Sequence, residues 1–459
     1  GAQDHRMAET AAGTILTARD RPRTVARVGA LAGVAFGLWL LLALTTSSWR
    51  YGSFSWWPLW QEEQLAGGPV ALGLLNLLPI VATVGWLVRR LLAWNFRWTW
   101  GPPAITLPFL ALSLLGLLTL EPLPGRLTFI SIGSLLLTWF VYLAVLNEQP
   151  PLFWILATVI LVQSAVGLGQ FLLQRDLGLA LLGELWLRPW WEGTSVLSAR
   201  GQPWLRAYGL VAHPNLLGAI LTVSVLFLLP GSGLKGDSIF ATRSFLRRLL
   251  FAVGLLGLLV TFSRAAWLAT AAGLLLALWL RRHHTTGRFP NVQPMRWLWL
   301  LVPLLLFLLF YHDLALGRLL ALDTPLEAQS IADRLRDARL ALDVIGRSPW
   351  RGVGLGRYQD VATLLDPAAA RVHNVTLLVT AELGLPGLLL WLLLALAPFS
   401  LVWRGRLDPA GLPPWLAMLV INLFDTTLWW SSNWQTAILF GLLLARVSRP
   451  PAPNQPGDQ

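Results

Sequence analysis

The sequence predicts an all-α polytopic membrane protein, with about twelve transmembrane helices and a helical loop on its outer face. Three observations carry this. Of 459 residues, 55% are hydrophobic and 13% charged, and the mean hydropathy is +0.60, so there is more apolar surface than a water-soluble chain of this size can hide. Apolar runs of about 18 residues or more recur along the whole length, each able to cross a ~30 Å hydrocarbon core as a helix. Basic residues are distributed very unequally between the short connections. Helices are the expected solution because every backbone N–H and C=O must be paired inside a bilayer.

The spans fall at about 28–47, 68–88, 103–120, 128–147, 152–173, 213–230, 247–263, 265–280, 296–312, 373–402, 414–430 and 434–447. The seventh and eighth flank Ser263-Arg264. A single helix from 247 to 280 would exceed a bilayer and bury an arginine at its centre, which is costly. Two helices joined by a tight turn at "TFSRAA" is the better reading. With the N-terminus inside, the cytoplasmic segments hold 20 basic residues and the short outer connections hold Arg50, Arg126 and Arg264. That bias puts both termini in the cytoplasm.

The chain then divides into a cytoplasmic tail over 1–27, a membrane domain over 28–447 and a second cytoplasmic tail over 448–459, proline-rich and read as disordered. "GAQDHR" ahead of Met7 reads as a tag remnant. Two outer loops are long, 174–212 and 313–372. The second contains "EAQSIADRLRDARLALDVIGRSP", with helical spacing of apolar residues, followed by the turn-forming "WRGVGLGRY". It reads as a folded cap.

There is no cysteine, which excludes disulfides and thiolate metal sites. The net charge of +12 does not point to nucleic acid, because no basic run is longer than two residues. "GVGLG" lacks the lysine and the preceding strand of a nucleotide loop and reads as a turn.

Three outer-side residues from distant stretches fall at one membrane level: Arg206 in "RAYGLVAHPN", Arg264 in "TFSRAAW" and His373 in "RVHN". Taken singly, a boundary arginine reads as a snorkelling or topology residue, and a helix-end histidine as a cap. Taken together they suit transfer of a group away from a membrane-held diphosphate. Guanidinium forks match phosphate oxygens and stabilise a leaving diphosphate. A histidine can take the proton of an attacking hydroxyl. Glu382, nine residues past His373, falls on roughly the opposite helix face and is expected to pair with a neighbouring helix. Asn422 and Asp425 form a second polar pair expected inside the eleventh span.

"RAYGLVAHPNLLG", "TFSRAAWLA", "DRLRDARLALDVIGRSPWRGVGLGRY" and "HNVTLLVTAELGLPGLLL" occur in an order that resembles the O-antigen ligase and O-antigen polymerase superfamily, over about 206–390. The resemblance implies a GT-C-like, metal-independent and cofactor-free glycosyltransferase of the bacterial inner membrane, active on the periplasmic face. It implies an undecaprenyl-diphosphate-linked glycan as donor, and lipid A–core or a growing glycan as acceptor, with inversion at the anomeric carbon. Membrane lipid is a further expected partner, and nucleic acid is not expected.

By motif, His373 resembles the general base, and Arg206 and Arg264 the diphosphate-binding arginines. Arg334 matches the arginine that opens the family's outer-loop helix. His213, Asn215, Asn374 and Glu382 are supporting candidates. Ala338 stands where the family often has an aromatic residue. A ligase, a polymerase, a protein O-oligosaccharyltransferase and, in another class, a lipid-linked glycan transporter remain open readings.

Overall fold

The computed structural model describes residues 21–46, 69–120, 126–199, 201–229, 244–283, 301–320, 325–426 and 434–451. Of the expected tail over 1–27, residues 1–20 lie outside the described residues and 21–27 are helical; of the tail over 448–459, residues 452–459 lie outside them. The elements, in chain order, are α1 (Arg21–Thr45), α2 (Pro69–Ala93), α3 (Pro103–Leu118), α4 (Arg126–Glu148), α5 (Leu152–Leu173), β1 (Val196–Ala199), β2 (Gln202–Leu205), α6 (Pro214–Phe227), α7 (Ser244–Leu259), α8 (Arg264–His283), α9 (Leu301–Leu320), α10 (Pro325–Arg347), α11 (Tyr358–Leu365), α12 (Val375–Trp403), α13 (Leu412–Phe424) and α14 (Trp434–Val447). Each predicted span overlaps one helix. Two more helices, α10 and α11, lie in the second long loop.

Five of these helices, α1, α4, α5, α8 and α12, are long and apolar enough to cross a membrane. Further apolar helices, including α3, α6 and α14, are shorter. The leucines that face outward, such as Leu31, Leu107, Leu136, Leu309 and Leu396, are at home in hydrocarbon and would be a liability in water. The chain is a multi-pass α-helical membrane protein.

At the centre stands α6, in which every residue from Leu216 to Phe227 is buried. It is surrounded by α5, α7, α8 and α13. In lipid no hydrophobic drive favours helix on helix over helix on acyl chain, so small residues that allow close approach decide the packing. A Cβ on Gly218 would lie 2.8 Å from the Cβ of Ala266, and one on Gly273 would lie 2.6 Å from Leu226. These two contacts set the distance between α6 and α8, and a larger side chain at either glycine would push the helices apart.

Two ends of the bundle differ in chemistry. α8 runs some 30 Å from Arg264 to His283, so the two residues mark opposite ends. The end that carries Arg281 also carries ion pairs that tie the helix termini together. Arg90 meets Glu148 at 3.0 Å and lies over the Trp98 ring at 4.2 Å, and the buried Arg446 meets Asp408 at 3.1 Å. The Arg264 end holds the two long loops, 174–212 and 313–372.

The first long loop departs from the all-helical expectation. β1 and β2 pair antiparallel, with Val196 opposite Leu205 and Ala199 opposite Gln202. The ladder continues one step further, since the Arg206 N–H donates to the Ser195 carbonyl at 3.4 Å. In the second loop, "WRGVGLGRY" is a turn as expected, with left-handed glycines at 352, 354 and 356. It lies against a break in α12 at Gly384, where φ is +69°. The Val353 and Gly354 N–H groups donate to the Ala381 and Glu382 carbonyls, and Leu385 donates back to Pro349 at 2.7 Å. The loop therefore satisfies the backbone groups that the break exposes.

Two boundaries differ from the sequence reading. α9 continues to Leu320, well past the expected end at 312, through a kink at Tyr311 (φ −131°, ψ 26°). α13 stops at Phe424 and Asp425 is extended, so Asp425 sits at the helix end and not within a continuous span.

Candidate active site

β2 hands the chain directly to Arg206, which is buried. The loop that follows has no regular structure, so its backbone groups need other partners. Two glutamines on α5, seven residues apart and hence on one helix face, supply them. Gln163 accepts from the Leu210 N–H at 2.8 Å and donates to the Leu44 carbonyl at 2.7 Å. Gln170 accepts from Tyr208 N–H and Gly209 N–H at 3.0 and 2.8 Å. It donates to the Gly209 carbonyl at 2.9 Å and to Glu184 at 2.8 Å. Both glutamines are fully buried. They hold the Arg206 loop, and neither stood out in the sequence.

Three nitrogens of Arg206 are spoken for. Nε donates to the Thr261 carbonyl, one terminal nitrogen to Ser195 Oγ and the other to Asn215 Oδ1, each at 2.8 Å. Asn215 passes the connection on, because its Nδ2 donates to Asp425 Oδ2 at 2.9 Å. Two residues before Asp425, the Leu423 carbonyl accepts from Asn374 Nδ2 at 3.2 Å. Asn374 also caps α12, its Oδ1 accepting from the Leu377 N–H at 3.0 Å, which satisfies one orphan donor of the first turn. His373 immediately precedes it. A continuous path thus leads from Ser195 through Arg206, Asn215 and the end of α13 to the residue beside His373.

The other candidates gather around this path. Arg264 is the first residue of α8, two positions after the Phe262 carbonyl on the same turn. Arg264, Arg334 and Asp425 all act electrostatically on Arg206. Asp425 and Arg264 act likewise on Arg334 in α10. His213, the N-cap of α6, accepts from the Asn215 N–H through Nδ1 at 3.1 Å. It lies within electrostatic reach of Arg206, Asp425 and His373, and so joins the arginine group to the histidine. His373 Nδ1 makes no hydrogen bond among the described residues.

Burial pushes the Arg206 guanidinium down to about 10. Tyr208 offsets that, while Arg264 and Arg334 add to it. Burial likewise lowers Arg334 and Arg371. Arg206 stays charged near neutrality. The cations exceed the carboxylates facing them, which is the balance of a site waiting for an anion.

Glu382 does not meet His373. It takes hydrogen bonds from the Gly356 and Tyr358 N–H groups and faces Arg371, so it fastens the glycine-rich turn to α12. Asp425 does not pair with Asn422. Its partner is Asn215, and the Asn422 side chain makes no hydrogen bond among the described residues. The reason is the helix end, which turns Asp425 toward the start of α6.

Arg318 was not singled out by sequence. It sits on α9 beyond the kink, donates through Nε to the Phe262 carbonyl at 3.1 Å, and feels the charges of Arg206, Arg264 and Arg334. The one local signal was an arginine following an apolar run that had already reached bilayer length.

No curated protein matches the chain. The family model described as O-antigen ligase matches residues 249–392, from α7 through α10 and α11 into α12. That segment contains Arg264, Arg318, Arg334 and His373, and over it the chain is similar to the O-antigen ligase family.

Proposed function

We propose that the chain transfers a glycan from undecaprenyl diphosphate to an acceptor hydroxyl, on the periplasmic face of the bacterial inner membrane and with both termini in the cytoplasm. The observation that carries this is the connected path from Arg206 through Asn215 and Asp425 to the α12 mouth, where His373 stands. It joins a polyanion-binding group of arginines to a potential base, at a level where a lipid carrier's diphosphate emerges from the membrane.

His373 takes the proton of the acceptor hydroxyl, and the oxygen forms its bond to the anomeric carbon from the face opposite the carrier. The bond from that carbon to the diphosphate oxygen breaks. Its electron pair stays on the diphosphate, which gains a negative charge, and the anomeric centre inverts. Arg206, Arg264 and Arg334 hold the diphosphate and stabilise the charge that develops on it. This chemistry needs no metal or cofactor. Asn215 and Asp425 are positioning residues that fix the Arg206 fork.

The ligase reading, with lipid A–core as acceptor, comes first; a polymerase would use the same groups on a growing carrier-linked glycan. Purified protein given carrier-linked oligosaccharide, lipid A–core and EDTA separates them. One glycan block on lipid A–core supports a ligase, and a ladder of lengthening carrier-linked products supports a polymerase. An untouched donor with both acceptors contradicts the proposal.

A further inference from the structure

We propose that His213 is a sugar-binding residue, which gives its Nε2–H to an uncharged oxygen of the first sugar on the carrier; this rests on the reading of the site as a glycan-diphosphate site. His213 is the N-cap of α6, and its Nδ1 accepts from the Asn215 N–H at 3.1 Å. A ring nitrogen that accepts from an N–H carries no proton, so the imidazole proton sits on Nε2. The capping bond therefore fixes the tautomer. It also puts the free N–H on the far side of the ring from the helix terminus.

Three neighbours hold the ring. Pro214, the first residue of α6, keeps His213 extended, with φ −156° and ψ 145°. The Asn215 N–H pins the near nitrogen. The Tyr208 ring packs edge-on at 6.2 Å between centroids, and the Tyr208 hydroxyl is itself anchored, accepting from the Ser195 N–H at 2.7 Å. The far nitrogen makes no hydrogen bond among the described residues. From Leu205 to Leu229 every residue except His213 is buried or half-buried. One imidazole alone reaches open space from a stretch that is otherwise packed.

Capping does not account for a histidine. Ser, Asp and Asn cap best and need only a short acceptor, whereas the imidazole adds a second nitrogen beyond the capping one. Nor is His213 placed to be the base. Its Nε2 already holds a proton, and taking one at Nδ1 would break the cap. That role stays with His373. His213 lies within electrostatic reach of both Arg206 and His373. The arginines hold the diphosphate and His373 meets the acceptor hydroxyl, so the sugar being transferred lies between them. Its hydroxyl and amide oxygens are uncharged acceptors, which a neutral N–H suits.

The test separates the two nitrogens in the purified full chain. In His213→Asn the amide oxygen replaces the capping nitrogen and the far N–H is lost. In His213→Gln the longer amide restores a far N–H and the cap is lost. Each variant is measured for kcat/KM with carrier-linked oligosaccharide, for the Kd of farnesyl diphosphate, which has no sugar, and for melting temperature. His213→Asn should lower kcat/KM by about 5- to 50-fold, the effect of one hydrogen bond left unmade, with farnesyl diphosphate affinity and melting temperature unchanged. His213→Gln should keep most of kcat/KM at a lower melting temperature. The reverse order, or kcat/KM unmoved in both, would mean that His213 only caps α6 and would overturn the assignment. Weaker farnesyl diphosphate binding in His213→Asn would put the contact on the diphosphate, which overturns the sugar assignment and leaves the diphosphate reading standing. If wild type transfers no glycan and binds no farnesyl diphosphate, the diphosphate reading itself fails.

Discussion

Asn215 and Asp425 lie 210 positions apart, yet the amide of one donates to the carboxylate of the other at 2.9 Å. The oxygen of the same amide accepts from Arg206 at 2.8 Å. One small side chain at the start of α6 thus fixes both the arginine and the end of α13. Asn215→Ala should lower transfer by about 10- to 100-fold, since it frees the Arg206 fork and leaves Asp425 without its amide. Initial rates in membranes with matched protein levels check this; an unchanged rate would remove Asn215 from the positioning role.

His373 stands one residue before the α12 cap, and Asn374, not His373, satisfies the first turn. Its removal should therefore spare the fold. His373→Ala is expected to lower transfer by about 100- to 10,000-fold with a melting temperature close to wild type. Thermal unfolding in detergent, measured beside activity, distinguishes a lost base from a lost fold.

Arg206 titrates at about 10 because burial opposes its charged form. Losing the proton removes the positive charge, so diphosphate affinity should be flat from about pH 7 to 8.5 and fall as pH nears 10. Bound diphosphate, being opposite in charge, pushes the guanidinium pKa back up, and the occupied site should hold its ligand to higher pH than the empty site accepts it. For folding the sign is opposite. The buried charged form is the costly one, so this group's penalty is present at neutral pH and is relieved as pH rises through 10. Binding of farnesyl diphosphate across that range, with Tyr208, Arg264, Arg334 and Asp425 intact, reports the trend.

Gly384 combines a φ of +69° with a Cβ position 2.5 Å from the Trp350 carbonyl oxygen. Gly384→Ala adds strain of about 1–3 kcal/mol from the backbone alone, and the clash pushes the glycine-rich turn off α12. A drop of several degrees in melting temperature and faster proteolysis between residues 349 and 356 are expected. Gly346→Ala, at a helical glycine with open space around it, should show neither.

Much of the helix layout was legible because it is a local property. A run of apolar residues long enough for a bilayer declares itself, and Ser263-Arg264 declared a turn because an arginine at mid-membrane is too costly. The arginines and the histidine were legible as types suited to a diphosphate and a hydroxyl. What holds them was not. Gln163 and Gln170 look like ordinary polar interruptions of α5 until the 206–211 loop is folded onto them. Arg318 lay past the expected end of its span, and only a tertiary contact with Phe262 brings it back. Asp425 was placed inside a span with Asn422, because hydropathy does not register that α13 ends one residue earlier. Glu382 was rightly separated from His373 by helix geometry, but its partners came from a loop some 25 residues upstream, which periodicity cannot supply.

The central claim is that the arginine cluster and His373 act on one bond. The most direct measurement follows, in a single purified reaction with EDTA, both the glycan gained by the acceptor and the carrier diphosphate set free. Wild type should release one carrier diphosphate for each glycan transferred, and His373→Ala should release neither product. Glycan reaching a new location with its diphosphate still attached, or His373→Ala matching wild type, would contradict the account.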